Sequence, residues 1–246
     1  MCNRLRLAVL AVGLVSFSAV ARSGLGAPTV FFDRDDNTLL MTSFPNSQAM
    51  FNQFTGMLNS YGVDTIESID SGPPAFGANP TLTFGATGIM ANTQGLLAAA
   101  PPVAGFSIDA KSLAELDAAV PNTPAMDAVF SFNQYINAFG IFVIQGGDGV
   151  NNNATTFRLT DTATNNSVDV PVQIGPNWGF NNVFFLGVFD DTFSFNQVSI
   201  LESTDLSDGM VYDNIVAGFV PEPGSLVLIM LGGACALCRA RHFGRR

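Results

Sequence analysis

Phe139-Gly-Ile-Phe-Val-Ile-Gln145, Thr155-Thr-Phe-Arg-Leu-Thr160, Val168-Asp-Val-Pro-Val-Gln-Ile174 and Asn182-Val-Phe-Phe-Leu-Gly-Val-Phe189 are the segments that decide the fold. Each is a short run rich in β-branched and aromatic residues, and the first is closed by the turn-forming Gly146-Gly-Asp-Gly149. Such runs read as strands because branched and aromatic side chains fit a pleated surface, while Gly, Asp and Asn supply the turns between them. Working outward, Val30–Asp33, Thr38–Ser43, Thr81–Phe84, Gln197–Ser203 and Val211–Val216 have the same character, with Asp35-Asp36-Asn37 and Asp208-Gly209 as further turn signals. Many short strands without long intervening helices predict a mainly β, antiparallel two-sheet sandwich.

One segment has a different period. Met50, Phe51, Phe54, Met57, Leu58 and Tyr61 fall on one face of an α-helix, with Asn46 or Ser47 available to cap it and Gly62 to end it. This short amphipathic helix is expected to close one end of the sandwich. Ser112–Val120 reads as a second short helix, with Pro121 beyond its end.

The chain has 246 residues and a net charge of −10, but that charge is unevenly spread. Between Arg22 and Val220 the only cations are Arg22, Arg34, Lys111 and Arg158, against 19 acidic residues. A region this acidic has no basic footprint for phosphates, which argues against nucleic acid as a partner. It is compatible with divalent cations or with plain solubility outside a cell. Cys2, Cys235 and Cys238 all lie in the end segments, so the central region must fold by burial without disulfides.

Both ends read as targeting segments. Residues 1–21 form a signal peptide: Arg4 and Arg6, the apolar run Leu7–Phe17, then the small-x-small exit Ala19-Val20-Ala21, with cleavage expected after Ala21. At the other end, Val220-Pro221-Glu222-Pro223-Gly224 is a stiff extended stretch, because the two prolines stop a regular helix or strand. Residues 225–238 follow without a charge and would reach about 21 Å as a helix, short of a hydrocarbon core of about 30 Å. Arg239, Arg241, Arg245 and Arg246 come next. Positive charge on that flank predicts a cytoplasmic C-terminus and an acidic domain outside.

The order of Val220-Pro221-Glu222-Pro223-Gly224, a short apolar span and a basic end resembles the PEP-CTERM sorting signal of bacteria that make exopolysaccharide. The resemblance implies an exosortase-type membrane protease as partner, membrane contact through residues 225–238 before processing, and exopolysaccharide in the surroundings. The basic end is longer and looser than is usual in that family. The stretch from Phe184 through Phe189-Asp-Asp-Thr192 to Asp208-Gly209 and Asp213-Asn214-Ile215 is similar to the closing strands of PEP-CTERM ectodomains. This implies a jelly-roll-like sandwich, with Thr65–Ile69 as a looser match to an early strand. The domain division is then 1–21 signal peptide, 22–219 β-sandwich ectodomain and 220–246 sorting signal.

The central region restricts the chemistry. It contains no His and no Cys, and a single Lys, so Ser-His-Asp and Cys-His centres are excluded there, as is a zinc site built on imidazole or thiolate. Glycoside hydrolysis needs only two carboxylates. Asp190 and Asp191 are adjacent, however, and adjacent residues of an extended chain point to opposite faces, so a strand-end turn suits them better. A structural Ca2+ fits the Asp-rich turns, since calcium takes hard oxygens in loose geometry. Asp33 and Asp35, with Asp36 and Asn37, form one candidate set, although an edge turn has the same composition. Glu67 and Asp213 form another, if early and final strands pair as in calcium-bearing jelly rolls. Trp178 is the sole tryptophan and reads as a core or loop anchor before a sugar platform. Asn153-x-Thr155 and Asn165-x-Ser167 match the N-glycosylation triplet, which arises often by chance. The expected function is that of an exported, non-enzymatic cell-surface or extracellular-matrix protein. The alternative is a carbohydrate-binding module or a carboxylate-based carbohydrate-active enzyme.

Overall fold

The computed structural model describes residues 27–35, 43–63, 77–85, 87–99, 112–115, 128–144, 154–173, 183–201 and 211–220. Within them lie thirteen strands and one helix: β1 Thr29–Asp35, α1 Pro45–Ser60, β2 Gly77–Ala78, β3 Thr81–Phe84, β4 Ile89–Gln94, β5 Leu96–Ala99, β6 Ser112–Glu115, β7 Ala128–Ile136, β8 Ala138–Ile144, β9 Ala154–Asp161, β10 Asn166–Gln173, β11 Val183–Phe189, β12 Phe195–Leu201 and β13 Val211–Gly218. They form a seven-stranded sheet, β1-β11-β8-β13-β6-β5-β2, and a six-stranded sheet, β10-β9-β12-β7-β4-β3. Every pairing among the described residues is antiparallel. The described residues build the expected mainly β, antiparallel two-sheet sandwich with an amphipathic helix.

The two sheets enclose one apolar core. Phe139, Ile141 and Val143 of β8 and Phe184, Leu186 and Val188 of β11 meet Phe130, Phe157, Leu159, Val198 and Ile200 of the six-stranded sheet. Strict alternation puts the intervening residues of β8 and β11 on the opposite face, where Ala138, Phe142, Ile144, Val183 and Phe185 form a second apolar cluster with Phe54 and Leu58 of α1. The central strands of the seven-stranded sheet are thus buried on both faces, which is why β8 and β11 read as near-continuous apolar runs. Pro171, which has no N–H for a ladder, lies in β10, an edge strand of the six-stranded sheet.

Three local expectations are corrected. The helix does not close an end of the sandwich: it lies flat on the outer face of the seven-stranded sheet, with the Phe51 ring 5.2 Å from that of Phe142 and 5.5 Å from that of Phe185. Its apolar face needed a broad apolar partner, and the doubly apolar β8 and β11 supply one. Asn46 and Ser47 do not cap it, because the helix begins at Pro45 and both lie inside its first turn. Ser112–Val120 does not start as a helix: Ser112–Glu115 is strand β6, paired with β5 and β13, and the remainder lies outside the described residues. Sheet pairing on both sides overrides the weak helical pattern there. The C-terminal expectation for α1 holds, since Gly62 takes a φ of 75° and Val63 N–H reaches back to the Leu58 carbonyl.

The strand expected at Thr38–Ser43 falls almost wholly outside the described residues, where Ser43 itself is not in a strand, and Thr65–Ile69 lies outside them entirely. Among the described residues, no helix is long and apolar enough to cross a membrane. Residues 1–21, expected as a signal peptide, and residues 221–246 lie outside them.

Candidate functional site

Of the acidic residues singled out for calcium, Asp33, Asp35 and Asp213 have other partners. Asp35 is 7% exposed and its two carboxylate oxygens accept the backbone N–H groups of Asn46 (3.1 Å) and Ser47 (2.8 Å). It therefore fills the place of a helix cap from the end of β1, satisfying donors that the first helical turn leaves open. Asp33 accepts the N–H of Arg34 at 2.8 Å. Asp213 is buried in β13 opposite Phe142 and accepts the N–H of Asn214, which sits at a φ of 45° where the β13 register shifts against β8. Glu67, Asp36 and Asn37 lie outside the described residues, as do Trp178 and Asn153. Among the described residues no three His, Cys, Asp or Glu side chains group as metal ligands.

Asp190 and Asp191 follow β11 in a turn. Asp190 Oδ1 accepts the N–H groups of Thr192 (2.8 Å) and Phe193 (3.0 Å) and the Thr192 hydroxyl (2.8 Å), organising the passage from β11 to β12. Asp190 Oδ2 is buried with no hydrogen-bond partner among the described residues.

The densest polar arrangement involves a residue that the sequence does not flag. Asn137, 3% exposed, is the single residue between β7 and β8. Its backbone N–H donates to the Gly218 carbonyl (3.1 Å), and its carbonyl accepts the Asp190 N–H (2.9 Å). Its side chain then makes two bonds to one residue: Nδ2 donates to the Val220 carbonyl (2.8 Å) and Oδ1 accepts the Val220 N–H (2.7 Å). The amide thus stands in for a neighbouring strand, offering one donor and one acceptor at backbone spacing. Val220 is 2% exposed, and its side chain joins the cluster beneath the helix with Val216, Ala138 and Phe185. Val220 opens the Val-Pro-Glu-Pro-Gly sequence, so the first residue of that motif belongs to the folded domain. Arg239, Arg241, Arg245 and Arg246, and Pro221 to Gly224, lie outside the described residues.

A second arrangement spans the exposed face of the six-stranded sheet. Register partners Ser167, Thr160, Gln197, Ser131, Asn92 and Thr81 form one row across all six strands, about 24 Å from edge to edge. Every member is polar and uncharged. Gln197 Nε2 donates to Ser131 Oγ (3.3 Å) and the Thr81 hydroxyl to Asn92 Oδ1 (2.9 Å). The next row holds the ion pair Arg158–Asp169 (2.7 Å), whose guanidinium holds the Asp169 carboxyl below its usual range.

Tyr135 lies further along the same face of β7 and is 42% exposed. Its hydroxyl donates to Asp161 Oδ1 at 2.7 Å, while Thr164 donates to Asp161 Oδ2. The Thr164 bond, then the Tyr135 bond, hold the Asp161 carboxyl below its usual range, and the same Tyr135–Asp161 bond raises the phenol.

No protein-family model matches the sequence. No curated protein matches it. Among solved structures, the C-terminal family 22 carbohydrate-binding module of Clostridium thermocellum Xyn10B aligns at 11% identity and a TM-score of 0.35, covering 66% of this chain and 98% of that one. The CBM22-1–GH10 modules of the same organism's endo-1,4-β-D-xylanase 10B, complexed with xylohexaose, align at 12% identity and a TM-score of 0.30, over 44% of this chain. That match spans 22% of the xylanase chain. The enzymatically active domain of bacteriophage CBA120 tailspike protein 4 aligns at 13% identity and a TM-score of 0.23, over 53% of this chain and 18% of that one. Likenesses this slight say nothing of ligand or activity, and the sandwich is established by this chain's own strand pairings.

Proposed function

We propose that this chain is an exported, non-enzymatic β-sandwich protein, brought to the cell surface or extracellular matrix and processed through its PEP-CTERM tail by an exosortase-type membrane protease. The observation that carries the reading is the joint at Val220: the folded domain extends through the first residue of the Val-Pro-Glu-Pro-Gly motif. An acidic domain whose described residues reach the first residue of the motif suits a cargo whose tail is handled separately from its fold. The test compares the cellular fraction and intact mass of the full chain with those of a chain truncated after Val220. A full chain whose intact mass still includes its arginine end, found in the same fraction as the truncated chain, would remove the reading.

A second reading, carbohydrate binding without turnover, is favoured by the uncharged row from Ser167 to Thr81 and by exposed Tyr135 on the same face. Hydroxyl and amide groups in a row match the donor and acceptor pattern of a neutral glycan, and an aromatic ring offers a stacking surface. Titration of the domain with soluble neutral polysaccharides tests it. Binding that drops on Gln197→Ala or Asn92→Ala would place the glycan on this row, and absence of binding across the set would discard the second reading.

A further inference from the structure

We propose that Asn137 is a positioning residue that sets the N-terminal limit of proteolytic removal of the tail, so that any cut freeing the folded domain falls after Val220. The cellular side of this inference rests on the sorting reading above. The physical side rests on the joint itself. A protease binds its substrate as an extended strand and must engage the backbone N–H and C=O of residues flanking the scissile bond. At Val220 both groups are already taken by one buried side chain, Asn137, at 2.7 and 2.8 Å. The Val220 side chain is buried with Val216 beneath the helix, and Gly218 is held by the Asn137 N–H. Only Phe219, 47% exposed, stands out between these two anchors, and one exposed residue is too little chain to thread an active site. Cleavage before Val220 therefore requires this end of β13 to open first, and its rate follows the population of the opened state. In the cut itself the peptide C–N bond breaks, solvent water gives its hydroxyl to the carbonyl carbon and a proton to the departing amine. No further reactant is needed.

Asn137 is also tied to Asp190 N–H through its own carbonyl, so the anchor is braced by the β11–β12 turn as well as by β13. Since that carbonyl belongs to the backbone, side-chain replacement removes the Val220 bonds and leaves this brace in place. The experiment uses the full chain in detergent, a broad-specificity protease, and intact-mass reading of the protected fragment. The wild-type fragment is expected to end at or after Val220. Asn137→Ala should be cut upstream of Val220 roughly thirtyfold faster, the factor that goes with losing two net hydrogen bonds of protection. Asn137→Asp keeps the acceptor for Val220 N–H but sets a buried carboxylate oxygen against the Val220 carbonyl, so it should be cut upstream at least as fast as Asn137→Ala. Comparing thermal midpoints separates a local opening from general loss of fold. A wild-type fragment ending before Val220, or equal upstream cutting in wild type and both variants, overturns the proposal. In the producing cell, a mature product ending upstream of Val220 overturns it as well. A product that keeps its arginine end instead sinks the sorting reading, and the fragment pattern in detergent still decides the role of Asn137.

Discussion

Gly140 of β8 and Gly187 of β11 are register partners, and the ring of Phe54 lies across both. A Cβ at Gly140 would stand 2.7 Å from Phe54 Cε1 and 2.8 Å from Phe185 Cζ, and one at Gly187 would stand 2.8 Å from Phe54 Cδ2. Two facing glycines thus make a shallow recess in an otherwise phenylalanine-lined face, and that recess seats the helix. Gly140→Ala or Gly187→Ala should destabilise the domain by about 1–3 kcal/mol through overpacking. Phe54→Leu made on top of either alanine should recover part of the loss, since the clash is with the ring. Urea denaturation with a double-mutant cycle measures this. A coupling near zero would mean that the ring moves aside freely.

Asp35 holds the start of α1 through two backbone bonds, from an element eleven and twelve residues earlier in the chain. Asp35→Ala should cost about 1–2 kcal/mol, the range for losing an N-terminal cap. Asp35→Asn should cost less, because the amide keeps one acceptor. Ser47, whose hydroxyl donates to the Val183 carbonyl at 3.0 Å, ties the same turn to β11. Thermal unfolding followed at the helical signal would show the order Ala below Asn below wild type, and equal midpoints would remove Asp35 as the cap.

The Asp161 carboxyl is held below its usual range first by Thr164 and then by Tyr135. Thr164→Val should therefore raise it more than Tyr135→Phe does. The sign for stability follows: an acid depressed on folding stabilises the native state above its unfolded value, and that contribution fades as pH falls through the lowered native value. Carboxyl-carbon NMR titration gives the order directly. A larger rise in Tyr135→Phe would reverse the assignment.

Arg158 and Asp169 form a two-point ion pair across β9 and β10, with both side chains about half exposed. Solvent screens such a pair, so its coupling energy should be about 0.5 kcal/mol and should shrink with added salt. A double-mutant cycle at low and high ionic strength would measure it. A coupling above about 1.5 kcal/mol, insensitive to salt, would contradict this picture.

Much of the sheet structure was legible because its causes are local. β8 and β11 are dense in Phe, Val and Ile, and burial on both faces favours that composition. β4, Ile89-Met-Ala-Asn-Thr-Gln94, was missed although its burial alternates strictly, since Met, Ala, Asn and Gln carry little strand preference. β7 was missed as well, and the alternation in Ala-Val-Phe-Ser-Phe was there to find it. The helix period was correct and its seat was not, because a hydrophobic stripe states that it will be covered without stating by what.

The sequence by itself determined the strand-rich class, the helix and its Gly62 end, and the acidic, His-free and Cys-free character of the central region. The resemblance of the tail to a sorting signal is likewise read in chain order alone. Tertiary structure alone decided the roles of Asp35 and Asn137. Asn137 and Val220 are separated by 83 residues, and an asparagine between two strands carries no mark of which distant backbone it will meet. Hydrogen-bond partners at that range are chosen by the sheet register that brings β8 and β13 side by side. Register is a property of the paired strands together, so no single segment encodes it.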